Sequence, residues 1–107
     1  MAKYLIKASY GPEGIKGVIA KGGTARVDAV GKLIAEAGGS MESFYFAFGG
    51  DDVFVTVDVP SHEAMVAIAG AVTSTGVLSR YETIVLLTAE QIDDAAHLKI
   101  AYTPPGG

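Results

Sequence analysis

The sequence predicts an α+β fold, a four-stranded antiparallel sheet with its helices on one face, from three observations. Period-2 alternation marks strand segments at the start, middle and end of the chain. Apolar residues spaced by three and four mark helices between them, and glycine or proline punctuates each change of period.

The first strand is residues 3 to 10, where Tyr4, Ile6, Ala8 and Tyr10 alternate with Leu5, Lys7 and Ser9 until Gly11-Pro12 stops the run. The following PEGIKGVIAKGG predicts a helical turn around Ile15, Val18 and Ile19, broken at Gly22-Gly23. Thr24 then caps an amphipathic helix carrying Ala25, Val27, Val30, Leu33, Ile34 and Ala37, and Gly38-Gly39 supplies its left-handed stop.

Met41 to Phe48 and Val53 to Val59 predict a hairpin turning at Gly49-Gly50-Asp51-Asp52, with Pro60 as its end. Ser61 caps a second helix with Glu63 in the first turn and Met65, Val66, Ile68, Ala69 and Val72 along it; its small residues predict close packing. Val77 to Thr88, β-branched and aromatic, is the last strand. Thr88 caps a short helix over AEQIDDAAHL, and residues 98–107 form an extended or disordered tail. The order β-α-β-β-α-β is the ferredoxin-like split pattern, and residues 1–107 make one such domain.

Composition agrees with that architecture. A chain of 107 residues, 50% hydrophobic and 19% charged, suits one compact domain and leaves no room for a second. Without cysteine there is no disulfide framework, thiolate nucleophile or Cys-containing metal site, so packing alone holds the fold. No apolar run follows a basic start and none approaches the ~18 residues of a membrane span. A cytoplasmic protein with no membrane partner is therefore expected. The net charge of −4 and the scattered lysines and arginines argue against nucleic acid.

The hairpin raises the first functional question. Val53, Val55, Val57 and Val59 suit packing under helices, which turns Phe54, Thr56 and Asp58 to the open side. In the preceding strand Phe44, Phe46 and Phe48 oppose Met41, Ser43, Tyr45 and Ala47, and apolarity alone does not say which row faces in. Either way aromatic surface remains on the open face, about 150–250 Å² per ring. Soluble monomers rarely expose such patches, so the partner expected is the protein itself, as a homodimer or higher homo-oligomer joined face to face around a barrel-like interior.

AKYLIKASY, GGTARVDAVGKLIAEAGG, ESFYFAFGGDDVFVTVDVP and ETIVLLTAEQID resemble the GYD domain family, in order and over essentially the whole chain. The resemblance implies a dimeric α+β barrel whose protomers pair sheet to sheet. The family is largely uncharacterised; its wider superfamily includes cofactor-independent and haem-using monooxygenases, chlorite-handling enzymes, muconolactone isomerase-like proteins and ligand-sensing domains. Such a fold hosts enzymes and binders alike.

Polar residues that alternate with apolar ones would line a dry dimer interior. They are Lys7 and Ser9, Glu42, Thr56 and Asp58, and Arg80 and Glu82, where burial would perturb proton affinities; the competing explanation is solvated strand ends and cross-strand ion pairs. Lys7 and Arg80 lie inside apolar runs and are candidates to receive an anionic or carbonyl group. Among the tyrosines, Tyr10 and Tyr45 rank above Tyr4, Tyr81 and Tyr102 as orienting hydroxyls, and Phe54 supplies an apolar wall.

No catalytic residue is assigned, and no metal or cofactor is expected. Asp93 and His97 share a helical face but lack a third ligand, and neither His62 nor His97 falls on a strand, which disfavours haem. Gly49 to Asp52 has the residues of a turn without the spaced oxygens of a calcium loop, and Gly22-Gly23 lacks a P-loop pattern. Gly11 to Gly23 is a candidate lid. The function expected is binding of a small apolar or aromatic molecule in or near the sheet-to-sheet interior. The alternative is a cofactor-independent monooxygenase or isomerase; a third reading has the interior filled by side chains.

Overall fold

The computed structural model describes residues 2–107; Met1 of the predicted domain lies outside the described residues. Strands β1 (Ala2–Tyr10), β2 (Ser40–Phe46), β3 (Val53–Val59) and β4 (Leu78–Leu86) form one sheet in the order β2-β3-β1-β4, every neighbouring pair antiparallel. Helices α1 (Pro12–Lys21) and α2 (Gly23–Glu36) connect β1 to β2, α3 (His62–Thr73) connects β3 to β4, and α4 (Ala89–Ala96) follows the sheet. The arrangement is the ferredoxin-like α+β fold expected, with α1 added.

The valine row of β3 decides which face is buried. Val53, Val55, Val57 and Val59 are all buried, and they join Tyr4 and Ile6 of β1, Ile34 of α2, and Met65 and Ile68 of α3. Ile34, Val57 and Val59 are completely enclosed, each contributing roughly 1.5–3 kcal/mol on leaving water. Register then settles β2. Phe44 stands opposite Val55 and Phe46 opposite Val53, facing the helices, while Tyr45 pairs with Phe54 on the open side. An irregularity between Met41 and Ser43 sets Met41 opposite Val57 and Ser43 opposite Thr56. The extra residue of such a bulge lets Met41 and Phe44 share the inward face, against strict alternation.

Between β1 and α2 the sequence understates the helix. Ten residues, not one turn, form α1: Pro12 presets its first turn, Glu13 and Lys21 suit its two ends, and Gly14 allows it to lie close to the sheet. A Cβ at Gly14 would stand 2.6 Å from the Val77 carbonyl oxygen. Gly22, with φ +84°, separates α1 from α2, and α2 starts at Gly23 without a side-chain cap, so Thr24 is not the cap its chemistry suggested. Ser61 does cap α3, its Oγ accepting from the Ala64 N–H at 3.1 Å, and Thr88 and Gln91 form a capping box on α4.

Every residue from Leu87 to Gly107 is exposed. This trailing segment makes the radius of gyration 17.1 Å, against about 13 Å for a compact chain of this length. No helix among the described residues is long and apolar enough to cross a membrane.

Candidate functional site

The open sheet face gathers most of the residues nominated from sequence. Register sets Lys7 between Phe54 and Glu82, and Ser9 beside Arg80. Thr56 lies beside Ser43, Asp58 beside Ser40, and Tyr45 beside Phe54. Lys7, Ser9, Tyr45, Phe54, Thr56, Asp58 and Arg80 therefore share one surface, with Glu42 at its margin. Tyr10 does not: its side chain faces the helices with Tyr4, Ile6 and Ala8.

The charges on that face are mostly engaged with one another. Asp51, only 6% exposed, accepts from Ser9 Oγ at 3.2 Å and lies 3.5 Å from both Lys7 Nζ and Arg80 Nη2. Lys7 Nζ is also 3.6 Å from Glu82 and 5.9 Å from the centre of the Phe54 ring. Farther along, Lys3 Nζ meets Glu42 at 2.8 Å and Asp58 at 3.2 Å, and these two carboxylates raise its proton affinity. The Ser43 and Thr56 hydroxyls bond to each other, whereas Asp58 Oδ1 is buried without a partner among the described residues.

Sequence pattern does not single out Asp51, because its residue type in Gly49 to Asp52 is that of a turn. Its neighbour Asp52 binds the β1 backbone: the Asp52 carboxylate accepts from the Tyr10 N–H at 2.9 Å, and the Asp52 N–H donates to the Ala8 carbonyl at 2.9 Å. Two adjacent carboxylates are more than a turn between strands needs, and that surplus was the available signal.

Across the sheet lies a cavity of about 400 Å³ between the strands, α2 and α3. Ile6, Ile34, Phe44, Val55 and Ile68 form an apolar end. Tyr10, Arg26 and Thr75 bring polar groups toward the other, with Val77 and Leu78 beside them, while Tyr81 lies along the wall opposite Ala8. Ala29 and Val30 of α2 and Ala71 and Val72 of α3 make the walls. The close packing expected of α3 holds at Met65 and Ile68 but not at its last turns, where small side chains leave the space unfilled.

The polar end has distinctive electrostatics. Burial raises the pKa of the Tyr81 phenol, opposed by the Thr83 side chain toward which its enclosed hydroxyl lies, although no group among the described residues meets that hydroxyl in full hydrogen-bond geometry. Burial also raises Tyr10, opposed by the positive charge of Arg26 and reinforced by the negative charge of Asp52. Arg26 itself makes no ion pair among the described residues. A smaller hollow of about 180 Å³ lies against Tyr4, His62, Met65 and Val66, with the Tyr4 hydroxyl bonded to His62 Nδ1. Among the described residues no three His, Asp or Glu side chains group as metal ligands would.

Chemically, the open face offers paired charges and exposed aromatic surface, while the cavity offers an apolar volume with donors at one end. The family model described as GYD domain matches residues 4–96. No curated protein matches the chain.

Proposed function

The chain belongs to the GYD domain family, and from that premise we propose that it is a self-associating domain that binds a small, largely apolar molecule in the cavity between its helices and sheet. The observation that carries this reading is the cavity's volume. About 400 Å³ falls within the ordinary range of ligand pockets and is well above the ~150 Å³ that suffices for benzene. Packing normally closes such space; here Ala29 and Ala71 keep it open. The expected sheet-to-sheet interior remains the proposed place of association, and the proposed place of binding moves to the opposite face of the sheet.

Association rests on a separate observation. Tyr45 is 70% exposed beside Phe54 on the open face, and Leu5, Ile84 and Leu86 are half-buried around them. Charges of both signs are interspersed with these side chains, as a self-complementary twofold interface requires. Asp51 and Glu82 together balance Lys7 and Arg80, the two cations otherwise best placed to hold an anion there, which disfavours ligand binding on this face.

The test is a native mass spectrum of the protein purified from cells, followed by that of Val72→Trp, whose indole would enter the cavity. The reading expects an assembly of two or more subunits with reproducible bound mass, the bound mass lost in the variant. Wild-type protein that neither retains a small molecule nor binds added naphthalene would overturn the binding reading, and a monomeric spectrum would overturn the association.

A further inference from the structure

The segment after β4 carries apolar side chains that its own domain does not cover. Leu87, Ile92, Leu98, Ile100 and Tyr102 are each more than half exposed, and no residue of α4 is buried. A helix of eight residues is not stable in water by itself, and the Thr88–Gln91 capping box adds only a local contribution. The nine-residue strands span about 30 Å, whereas the molecule is 58 Å long, so this arm runs on beyond the sheet.

The far end of the sheet has the complementary chemistry. The arm leaves at Leu86, opposite Lys3 of β1, whereas Phe46 pairs through Val53 to Ala8, five residues and about 17 Å along. Phe48 is fully exposed there, and the α1–α2 break lies against Phe46, a Cβ at Gly23 standing 3.1 Å from its ring. Ile19, in the last turn of α1, is exposed as well. Lys21 and Arg26 flank the break, neither in an ion pair among the described residues. Asp51 and Asp52, the acids of the adjoining loop, are turned to β1. The arm carries Glu90, Asp93 and Asp94 against the single cation Lys99.

Resting on association through the open sheet faces, we propose that this end of the domain receives the arm of a second copy, exchanged reciprocally. A twofold axis between two open faces, crossing the strands, sets the Lys3 end of each sheet over the Ala8 end of the other, so one operation seats both arms. Ile92 and Leu98 then cover Phe46 and Phe48, and the acids of α4 face Lys21 and Arg26. A chain's own arm leaves from the wrong end and runs away from the patch. A different basic partner would cover the arm and leave Phe48, Lys21 and Arg26 bare, whereas exchange covers both surfaces in one contact.

The experiment treats an equal mixture of two full-length variants, Gly49→Cys and Ala96→Cys, with a short bis-maleimide, after circular dichroism has matched both to wild type. The chain has no cysteine of its own, and a Cβ at Gly49 meets nothing within 4 Å. The proposal expects covalent pairs several-fold more abundant in the mixture than in either variant alone. Adding Lys21→Glu and Arg26→Glu to Gly49→Cys should lower that yield roughly three- to tenfold, and adding Asp93→Lys and Asp94→Lys to Ala96→Cys should restore it. Cross-linking within Ala96→Cys alone, or closure within single chains of the doubly substituted Gly49→Cys/Ala96→Cys protein, would overturn the exchange. A mixture that cross-links no better than its components, while its native mass shows an assembly, would overturn the exchange and leave open-face association standing. A monomeric native mass would overturn both.

Discussion

Asp51, from the hairpin loop, stands with Oδ2 3.5 Å from the Nζ of Lys7 on β1, and the carboxylate is 94% removed from solvent. The contact ties the loop after β2 to the middle strand of a different pairing. The single Ser9 Oγ proton is shared between the same carboxylate at 3.2 Å and the Gly50 carbonyl at 3.1 Å. Asp51→Ala would leave the Ser9 hydroxyl and the two cations without their shared acceptor. The expected cost is about 1–3 kcal/mol, read from urea denaturation. A loss under about 0.5 kcal/mol would mean that the cluster is held by solvent rather than by this carboxylate.

The cations on the same face are expected to matter less. Arg80 is 64% exposed and Lys7 has a second carboxylate in Glu82, so Arg80→Met and Lys7→Met should each change stability by under about 1 kcal/mol. Neither should alter ligand retention if the cavity across the sheet is the binding place. Loss of a bound molecule in either variant, with the fold intact, would return the site to the open face.

Phe54→Glu introduces a charge beside Tyr45 and Lys7 at the centre of the proposed contact between copies. Its expected outcome is a folded monomer with native circular dichroism. An unchanged oligomer would show that association, if present, uses another surface.

Alkaline titration follows from the two buried phenols. Burial raises both Tyr10 and Tyr81 above the ordinary value of 10.0 in the folded chain. The folded state then holds these protons more tightly than the unfolded state, so stability is fully present below pH 10 and declines as pH rises through the folded values. Phenolate absorbance should show ionisation above the ordinary range, and the alkaline loss of stability should be shallower in Tyr81→Phe. A titration in which every tyrosine ionises near 10.0 would contradict the enclosure of that end of the cavity.

Close approach at Gly14 gives a prediction about α1. A methyl there would stand 2.6 Å from the Val77 carbonyl oxygen and 2.9 Å from the Tyr10 ring, so Gly14→Ala should cost about 1–3 kcal/mol by displacing the helix, despite alanine's better helix propensity. A thermal melt that rises instead would show that α1 lies farther from the sheet.

The strands and the two long helices were legible because their burial is one-sided, and one-sided burial writes its period into the sequence. Lys7, Ser9, Thr56 and Asp58 were correctly grouped on one face for that reason. Three features were not legible. The irregularity at Met41 to Ser43 changes parity in a strand that is apolar on both rows, where pattern carries no information. Asp51 acts through partners on β1 and β4 that only the folded register brings near. The cavity depends on how far α2 and α3 stand apart at Ala29 and Ala71, and small residues are equally consistent with close packing or open space. Tyr10 was nominated as a site residue and does line the cavity, although on the face opposite its sequence companions.

The exposed segment after Leu86 bears on how self-association is measured. A radius of gyration of 17.1 Å is the value a compact globule would reach at about 220 residues, roughly two copies of this chain. A single copy would therefore elute from a sizing column close to where a globular dimer is expected. Hydrodynamic radius read against globular standards would therefore report a dimer for a lone copy, and a method that weighs the particle, such as sedimentation equilibrium or light scattering, separates shape from stoichiometry.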